Sequence, residues 1–298
     1  MKHLLKLEGK PSAAMEEILA SAKVIKAKRG GGEAKPLDGQ TWALIFTKSS
    51  TRTRVSFEVG IRELGGSVMF LNANDMQLGR GEPIKDTARV LGRMVHGAVI
   101  RTFAQADVEE FAEYSGIPTI NALTDDEHPC QILTDIFTFQ ERRGPIRGKV
   151  VTYVGDGGCN VPVSWVHAAA ALDFELRIAA PSEFQPSTET LAKAGGNISC
   201  TEDIRAAVKR ADMVYTDVWV SMGMEAEAEA RLAKLAGYQI NGELMRLAKP
   251  DTLVMHCLPA YRGKEIDAET FEAHADTIFT QAENRLHTQK AILAWLAG

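Results

Sequence analysis

Apolar and polar positions along this chain follow two rhythms that take turns. Short apolar runs bounded by polar turns predict buried strands at 41–46, 67–71, 97–100 and 118–123 in the first half. In the second half they fall at 149–154, 175–180, 198–200, 213–216 and 252–255. Between them, apolar residues recur at helical spacing. Met15, Ile18, Leu19, Ala22 and Ile25 share one face of a first helix that reaches about Lys26, and Phe57, Ile61 and Leu64 share one face of the next. Further helices are expected over 85–94, 108–114, from the His128–Gln131 stretch to about Arg142, and over 163–172, 188–194, 203–209, 242–248 and 283–296. Strands alternating with helices call for parallel sheets. The expected fold is therefore α/β, with two doubly wound parallel-sheet lobes. A boundary near Gly144-Pro145 gives domains over 1–144 and 145–282, with the last helix, about 283–298, packing back on the first.

Composition narrows the function. At 298 residues the chain can build two lobes, each with its own core. A hydrophobic content of 45% and a charged content of 24% are those of a globular protein. The net charge of −5 leaves no basic footprint for nucleic acid. No apolar run approaches the length of a membrane span, and the first residues lack a signal-peptide core, so neither membrane nor export is expected. Cys130, Cys159, Cys200 and Cys257 form no CxxC or Cys/His zinc pattern. Reduced thiols in a cytoplasm fit them, and no metal site is expected.

The densest candidate chemistry is Ser50-Thr51-Arg52-Thr53-Arg54, between the 41–46 strand and the helix that carries Phe57. The first N–H groups of a helix have no internal partner and its dipole is positive there, which favours an anion. Three hydroxyls and two guanidiniums add groups that hydrogen-bond and neutralise phosphate. The GxxxxGK[ST] glycines and lysine of a P-loop are absent. Other reactive residues also fall at expected strand ends: Arg101, His128, Asp156 to Asn160, Asp217 and Cys257. Ligands of open α/β sheets bind outside the carboxyl ends of their strands. If the lobes face each other, these groups converge on an interlobe cleft. Arg101, His128 and Thr53 have the donors that an acyl-type oxyanion needs. Asp217 has a carboxylate for an ammonium group, and Cys257 beside it could help to deprotonate an amine. The turn Gly155-Asp156-Gly157-Gly158-Cys159-Asn160 fails GxGxxG, because Asn160 holds the third glycine position, so no dinucleotide is expected.

Taken in order, these residues resemble the aspartate/ornithine carbamoyltransferase family almost end to end. The Ser-Thr-Arg-Thr-Arg run resembles its carbamoyl-phosphate signature, and His128-Pro129-Cys130-Gln131 its HPxQ element. Asp217 with Ser221-Met222-Gly223 resembles the ornithine-type DxxxSMG loop, and His256-Cys257-Leu258-Pro259 the HCLP element. Gln77 in Gln-Leu-Gly-Arg-Gly-Glu and Arg285 in Ala-Glu-Asn-Arg also fit. The resemblance implies a carbamoyltransferase that joins carbamoyl phosphate to L-ornithine, without metal or organic cofactor, as a homotrimer or a multiple of trimers. By position, Ser50, Thr51, Arg52, Thr53 and Arg285 would hold the phosphate. Arg101, His128 and Gln131 would hold the carbamoyl group, and Gln77 would reach the same substrate from or near a neighbouring subunit. Asn160, Asp217, Ser221 and Met222 would bind the amino-acid end of ornithine, with Cys257 and the Leu258 backbone by the reacting centre. Two departures stand out. Cys159-Asn160 replaces the Asn-Asn often found in this family, and Pro162-Val163 stands where a polar side chain is often found. They leave N-acylated ornithine and putrescine as alternative acceptors, and a non-catalytic relative as a third reading.

Overall fold

Five of the six residues of Thr41–Phe46 are buried, as a strand covered on both faces requires. This is β1, the first of four strands in one sheet with β2 (Ser67–Asn72), β3 (Gly97–Arg101) and β4 (Thr119–Leu123). The computed structural model describes residues 1–32, 34–72, 81–221 and 225–298. They fall into two units, Met1–Phe137 with Glu283–Gly298, and Thr138–Ala282. In the first unit every pairing is parallel and the strand order is β2-β1-β3-β4. The helices α1 (Ser12–Ala27), α2 (Thr51–Glu63), α3 (Ile84–Leu91), α4 (Gln105–Ser115) and α5 (Pro129–Arg143) connect or flank these strands. On one face of the sheet Ala43, Ile45, Ala98 and Ile100 pack with Val108 and Phe111 of α4.

The second unit has β5 (Val150–Val154), β6 (Glu175–Ala179), β7 (Ile198–Thr201), β8 (Met213–Thr216) and β9 (Leu253–His256), all parallel in the order β7-β6-β5-β8-β9. Its helices are α6 (Asn160–Leu172), α7 (Thr188–Ala194), α8 (Ile204–Val208), α9 (Ala228–Leu235), α10 (Gly242–Met245) and α11 (Ala268–Ala273). The final helix, α12 (Ala275–Ala297), contributes its residues from Glu283 onward to the first unit. Val154, Val214 and Val254 pack with Val208, Leu244 and Phe271 in the core of the second unit.

In each sheet the strand order reverses at one place, between β1 and β3 in the first and between β5 and β8 in the second. Helices leave in opposite directions there, which opens a crevice at the carboxyl ends of the strands.

All nine expected strands form, with ends displaced by at most one residue. The helices differ more. The Ser-Thr-Arg-Thr-Arg run does not merely precede a helix, because α2 starts at Thr51 and the run forms its first turn. The last helix starts at Ala275 rather than Glu283, and α9 and α11 have no counterpart among the expected elements. The helix expected over 242–248 ends at Met245 and the one over 85–94 at Leu91.

Candidate active site

At the reversal point of the first sheet, Phe46 pairs with Arg101 and the Thr47 N–H donates to the Arg101 carbonyl at 2.9 Å. The chain then enters α2 with Ser50 as its cap. The Ser50 hydroxyl oxygen accepts the Thr53 N–H at 3.3 Å, and its O–H donates to Thr53 Oγ1 at 2.9 Å. Thr53 is fully buried, and Arg285 of α12 donates from Nη2 to Thr53 Oγ1 at 2.6 Å. A guanidinium 232 residues away is thereby fixed beside a helix N-terminus, where the dipole already favours an anion. A cavity of about 550 Å³ opens there, lined by Lys48, Ser49, Ser50, Thr51, Arg54 and Phe70 among others. Arg54 takes a different part from the one its place in the run suggests. Its guanidinium borders the cavity but lies 3.7 Å from the Phe70 ring centroid and pairs with Glu58 at 3.5 Å.

Arg101 ends β3 and is 6% exposed. The β3–β4 register shifts between Ile100 and Arg101, a bulge that re-aims the following side chain. His128 precedes α5, and its carbonyl accepts the N–H groups of Gln131 at 3.0 Å and Ile132 at 3.3 Å. Burial, with Arg285 and Arg101 adding to it, holds the His128 pKa well below its ordinary value. The imidazole is therefore neutral near pH 7 and has one N–H to donate. Gln131 donates from Nε2 to Asp135 Oδ1 at 2.9 Å, and its buried Oε1 has no hydrogen-bond partner among the described residues.

The second unit gathers a different chemistry at its own reversal point. Thr216 Oγ1 donates to the Val154 carbonyl at 2.8 Å, joining the ends of β8 and β5. After β5, Gly155 takes φ +128°, a conformation open to glycine, and a Cβ there would meet Trp219 at 3.4 Å. Asp156 Oδ1 accepts the Gly158 N–H at 3.0 Å, and its other oxygen pairs with buried Arg231. Asn160 is the first residue of α6. The Cys159 thiol faces back into the turn, 3.2 Å from the Asp156 carbonyl. Burial, reinforced by Asp156 and Asp217, pushes its pKa well up, so it stays a thiol.

Asp217 follows β8, is 7% exposed, and accepts the Cys257 thiol at 2.8 Å and the Val218 N–H at 2.7 Å on Oδ1. Donor atoms of Asp217, His256 and Cys257 lie within 4.8 Å of one another, close enough for a metal ion. The histidine is engaged elsewhere, however. Its Nδ1 accepts the Leu258 N–H at 2.9 Å, which leaves the proton on Nε2, 3.2 Å from buried Glu265. Those bonds fix the chain at Leu258, where φ is +62°.

The first unit thus brings together Ser50, Thr53, Arg101, His128 and Arg285, with Arg52 on the first turn of α2, and the second brings Asp217 to Cys257. Gln77 and Met222 lie outside the described residues. Sequence reasoning passed over Lys48, which is 6% exposed, pairs with Asp125 and lies 4.2 Å from the Phe103 ring centroid. It also passed over Arg231, which donates to the Trp219 carbonyl at 3.0 Å as well as to Asp156, and so ties α9 to the chain just after Asp217.

Comparison with known proteins agrees with this chemistry. Residues 2–141 match the aspartate/ornithine carbamoyltransferase carbamoyl-P binding domain, and residues 147–296 match the Asp/Orn binding domain of the same family. An ornithine carbamoyltransferase of Akkermansia muciniphila is 54% identical over 300 residues, covering 100% of this chain and 98% of that protein. One from Methylococcus capsulatus is 50% identical, covering 99% and 98%. Among solved structures, the ornithine carbamoyltransferase of Pyrococcus furiosus is 44% identical with a TM-score of 0.92, covering 100% of this chain and 97% of that one. The anabolic enzyme of Campylobacter jejuni is 42% identical with a TM-score of 0.94, covering 99% of each. The chain belongs to the aspartate/ornithine carbamoyltransferase family.

Proposed function

We propose that this protein transfers the carbamoyl group of carbamoyl phosphate to the δ-amine of L-ornithine, giving L-citrulline and phosphate. The observation that carries the acceptor assignment is the Asp217–Cys257 pair, 2.8 Å apart at the ends of β8 and β9, in a chain that keeps both the Ser-Met-Gly and His-Cys-Leu-Pro elements. Relatives about half identical over their full length bear the same name. Residues 1–144, with the stretch of α12 from Glu283 onward, are assigned to carbamoyl phosphate, and 145–282 to ornithine.

In this reading Ser50, Thr51, Arg52, Thr53 and Arg285 hold the phosphate. Arg101 and neutral His128 donate to the carbamoyl oxygen, and Gln131 holds the carbamoyl amide. Gln77 reaches the same substrate from or near a neighbouring subunit. Asn160, Ser221 and Met222 bind the amino-acid end of ornithine. Asp217 and Cys257 receive the δ-ammonium, whose pKa is near that of a lysine, and the Asp217 carboxylate accepts the proton it must lose. The amine nitrogen attacks the carbamoyl carbon, and negative charge grows on the oxygen that faces Arg101 and His128. The C–O bond to phosphate then breaks. Of the two protons that leave the nitrogen, one goes through the Asp217–Cys257 pair to solvent and one to the departing phosphate. Positioning and charge complementarity supply the acceleration.

We further assign the protein to the cytoplasm, to arginine biosynthesis, and to a homotrimer or a multiple of trimers. No helix among the described residues is long and apolar enough to cross a membrane. The deciding experiment is product formation from carbamoyl phosphate with L-ornithine, N-acetylornithine, N-succinylornithine, putrescine and aspartate in parallel. Selective use of ornithine is expected. Preference for another acceptor overturns the assignment of Asp217, Ser221 and Met222, and silence with every acceptor overturns the enzyme reading.

A further inference from the structure

Glu127 stands next to His128, yet the reaction as derived above does not use it. Its side chain is 4% exposed. Oε2 accepts the Leu7 N–H at 2.6 Å and Oε1 accepts the Glu8 N–H at 3.1 Å. Those amides belong to an N-terminal segment that runs alongside β4. The Leu4 N–H donates to the Thr119 carbonyl at 3.0 Å, and the Leu4 carbonyl accepts the Asn121 N–H at 2.8 Å. Asn121 also donates from Nδ2 to the Leu5 carbonyl at 2.9 Å. On its other side Glu127 closes a tight turn. Its carbonyl accepts the Thr124 N–H at 3.0 Å, and its own N–H donates to Thr124 Oγ1 at 3.1 Å. The His128 carbonyl then receives two N–H groups of α5. His128 is therefore suspended between a helix start and a turn that the Glu127 carboxylate fastens to the N-terminal segment.

We propose that Glu127 is a positioning residue for His128: as a carboxylate it holds the amides of Leu7 and Glu8, and that hold sets the imidazole against the carbamoyl group. The inference rests on the function proposed above. An ionised carboxylate accepts on both oxygens, whereas the neutral acid carries a proton on one of them and loses an acceptor. One of the two amides is then left without its bond, and the turn loosens. Burial raises the pKa of Glu127 to about 7, against the lowering effect of the two amides. Glu8 raises it further and Lys6 lowers it, while Lys10 faces it farther along the N-terminal segment. The hold therefore engages as pH rises through about 7. His128 does not titrate there, because its own pKa lies well below the ordinary value. The δ-amine of ornithine titrates far above, near the lysine range.

The test is the pH profile of kcat/KM for carbamoyl phosphate, at saturating ornithine, in the parent protein, Glu127→Gln and Glu127→Asp. The parent should rise about five- to tenfold through a midpoint near 7. Glu127→Gln should lose that limb and sit about tenfold below the parent plateau, because its amide group opposes one of the two N–H donors; displacements of an ångström at a reacting group cost this much or more. A Glu127→Gln protein that keeps the parent midpoint, or matches its plateau within about twofold, overturns the proposal. If that variant fails to fold, Glu127→Asp decides. Its shorter acid should keep a limb with a displaced midpoint, and an unchanged midpoint overturns the assignment. A parent that turns over ornithine without any limb near 7 sinks this inference alone. A parent that makes no citrulline sinks the function on which it rests.

Discussion

The residues with the clearest signal in the sequence are those that act on charge. Arg101 is buried at a strand end, and a guanidinium is kept there only where a counter-charge or a ligand awaits it. Arg101→Leu and Arg52→Leu are each expected to lower kcat/KM by about 10²–10³, the usual effect of removing one donor to a developing oxyanion or phosphate. Steady-state kinetics decide this, and near-normal turnover in either variant removes its assigned role. His128→Asn should also slow the reaction, yet leave the midpoint of the pH profile above 6 where it was. The imidazole is already neutral over that range, because burial and the nearby Arg285 and Arg101 disfavour its cation. A midpoint that moves on this substitution would mean that His128 itself is the titrating group. Asp217→Asn is expected to cost more than Cys257→Ala, about 10² against about tenfold in kcat, since in the proposed reaction the aspartate carries the charge opposite the ammonium and the neutral thiol that donates to it contributes less. The reverse order would make the cysteine the principal group.

At the level of elements, what was legible is what is local. A strand covered on both faces needs a continuous apolar run, which makes β1, β3 and β8 plain, while the edge strands β2 and β7, with no buried residue, read as short runs between turns; the Ser50 cap could be read from its hydroxyl before a helical period. Helices held by distant contacts could not. The polar stretch Glu283-Asn284-Arg285 looks like a helix start, yet α12 begins at Ala275 and encloses it; Asn284 and Arg285 are buried there. Lys290, five residues on, is also fully buried, and its ammonium meets Glu63 of α2 at 2.7 Å. Nothing in the sequence couples positions so far apart. Burial would raise the Glu63 pKa, but Lys290 and Arg29 outweigh it and hold the pKa below its ordinary value. Glu63→Gln is expected to destabilise the protein by about 2 kcal/mol, less than a fully buried pair because Glu63 keeps part of its surface in water. Urea unfolding measures it, and an unchanged midpoint would mean that the pair contributes nothing. Gly157 bears on the acceptor side. A Cβ there would lie 2.6 Å from Ile178 Cγ2 and 3.0 Å from the Phe184 carbonyl, so Gly157→Ala must shift the turn between Asp156 and Asn160. It should raise KM for ornithine severalfold and leave KM for carbamoyl phosphate nearly unchanged. Equal changes in both would count against the assignment of that turn.

For the molecule as a whole, the order of the strands matters more than their number, and order is what an alternating pattern does not contain. Both sheets reverse where their reactive residues collect, at β1/β3 and at β5/β8, so the residues proposed for each substrate lie at or just beyond adjacent strand ends. The same placement buries ionisable groups and links folding to pH. Glu127 has a native pKa of about 7, above the ordinary carboxyl value of 4.5 that the unfolded chain would show. Between those values the native state binds the proton and the unfolded state does not. Its contribution is therefore fully present below about 4.5 and is lost as pH rises through about 7, a change on the order of 3 kcal/mol. Asp156 acts in the same direction, since burial raises its pKa despite Arg231. His128 acts in the opposite one, because a lowered pKa gives stability that is lost on acidification. A single stability curve would mix these effects, so the comparison must be between the parent and Glu127→Gln at one protein concentration. Unfolding free energies measured from about pH 5 to about pH 8 should show the variant gaining on the parent by about 3 kcal/mol as pH rises. Parallel curves would mean that the carboxyl keeps an ordinary pKa in the fold, and the fastening of the His128 turn would then be engaged at every pH at which the protein works.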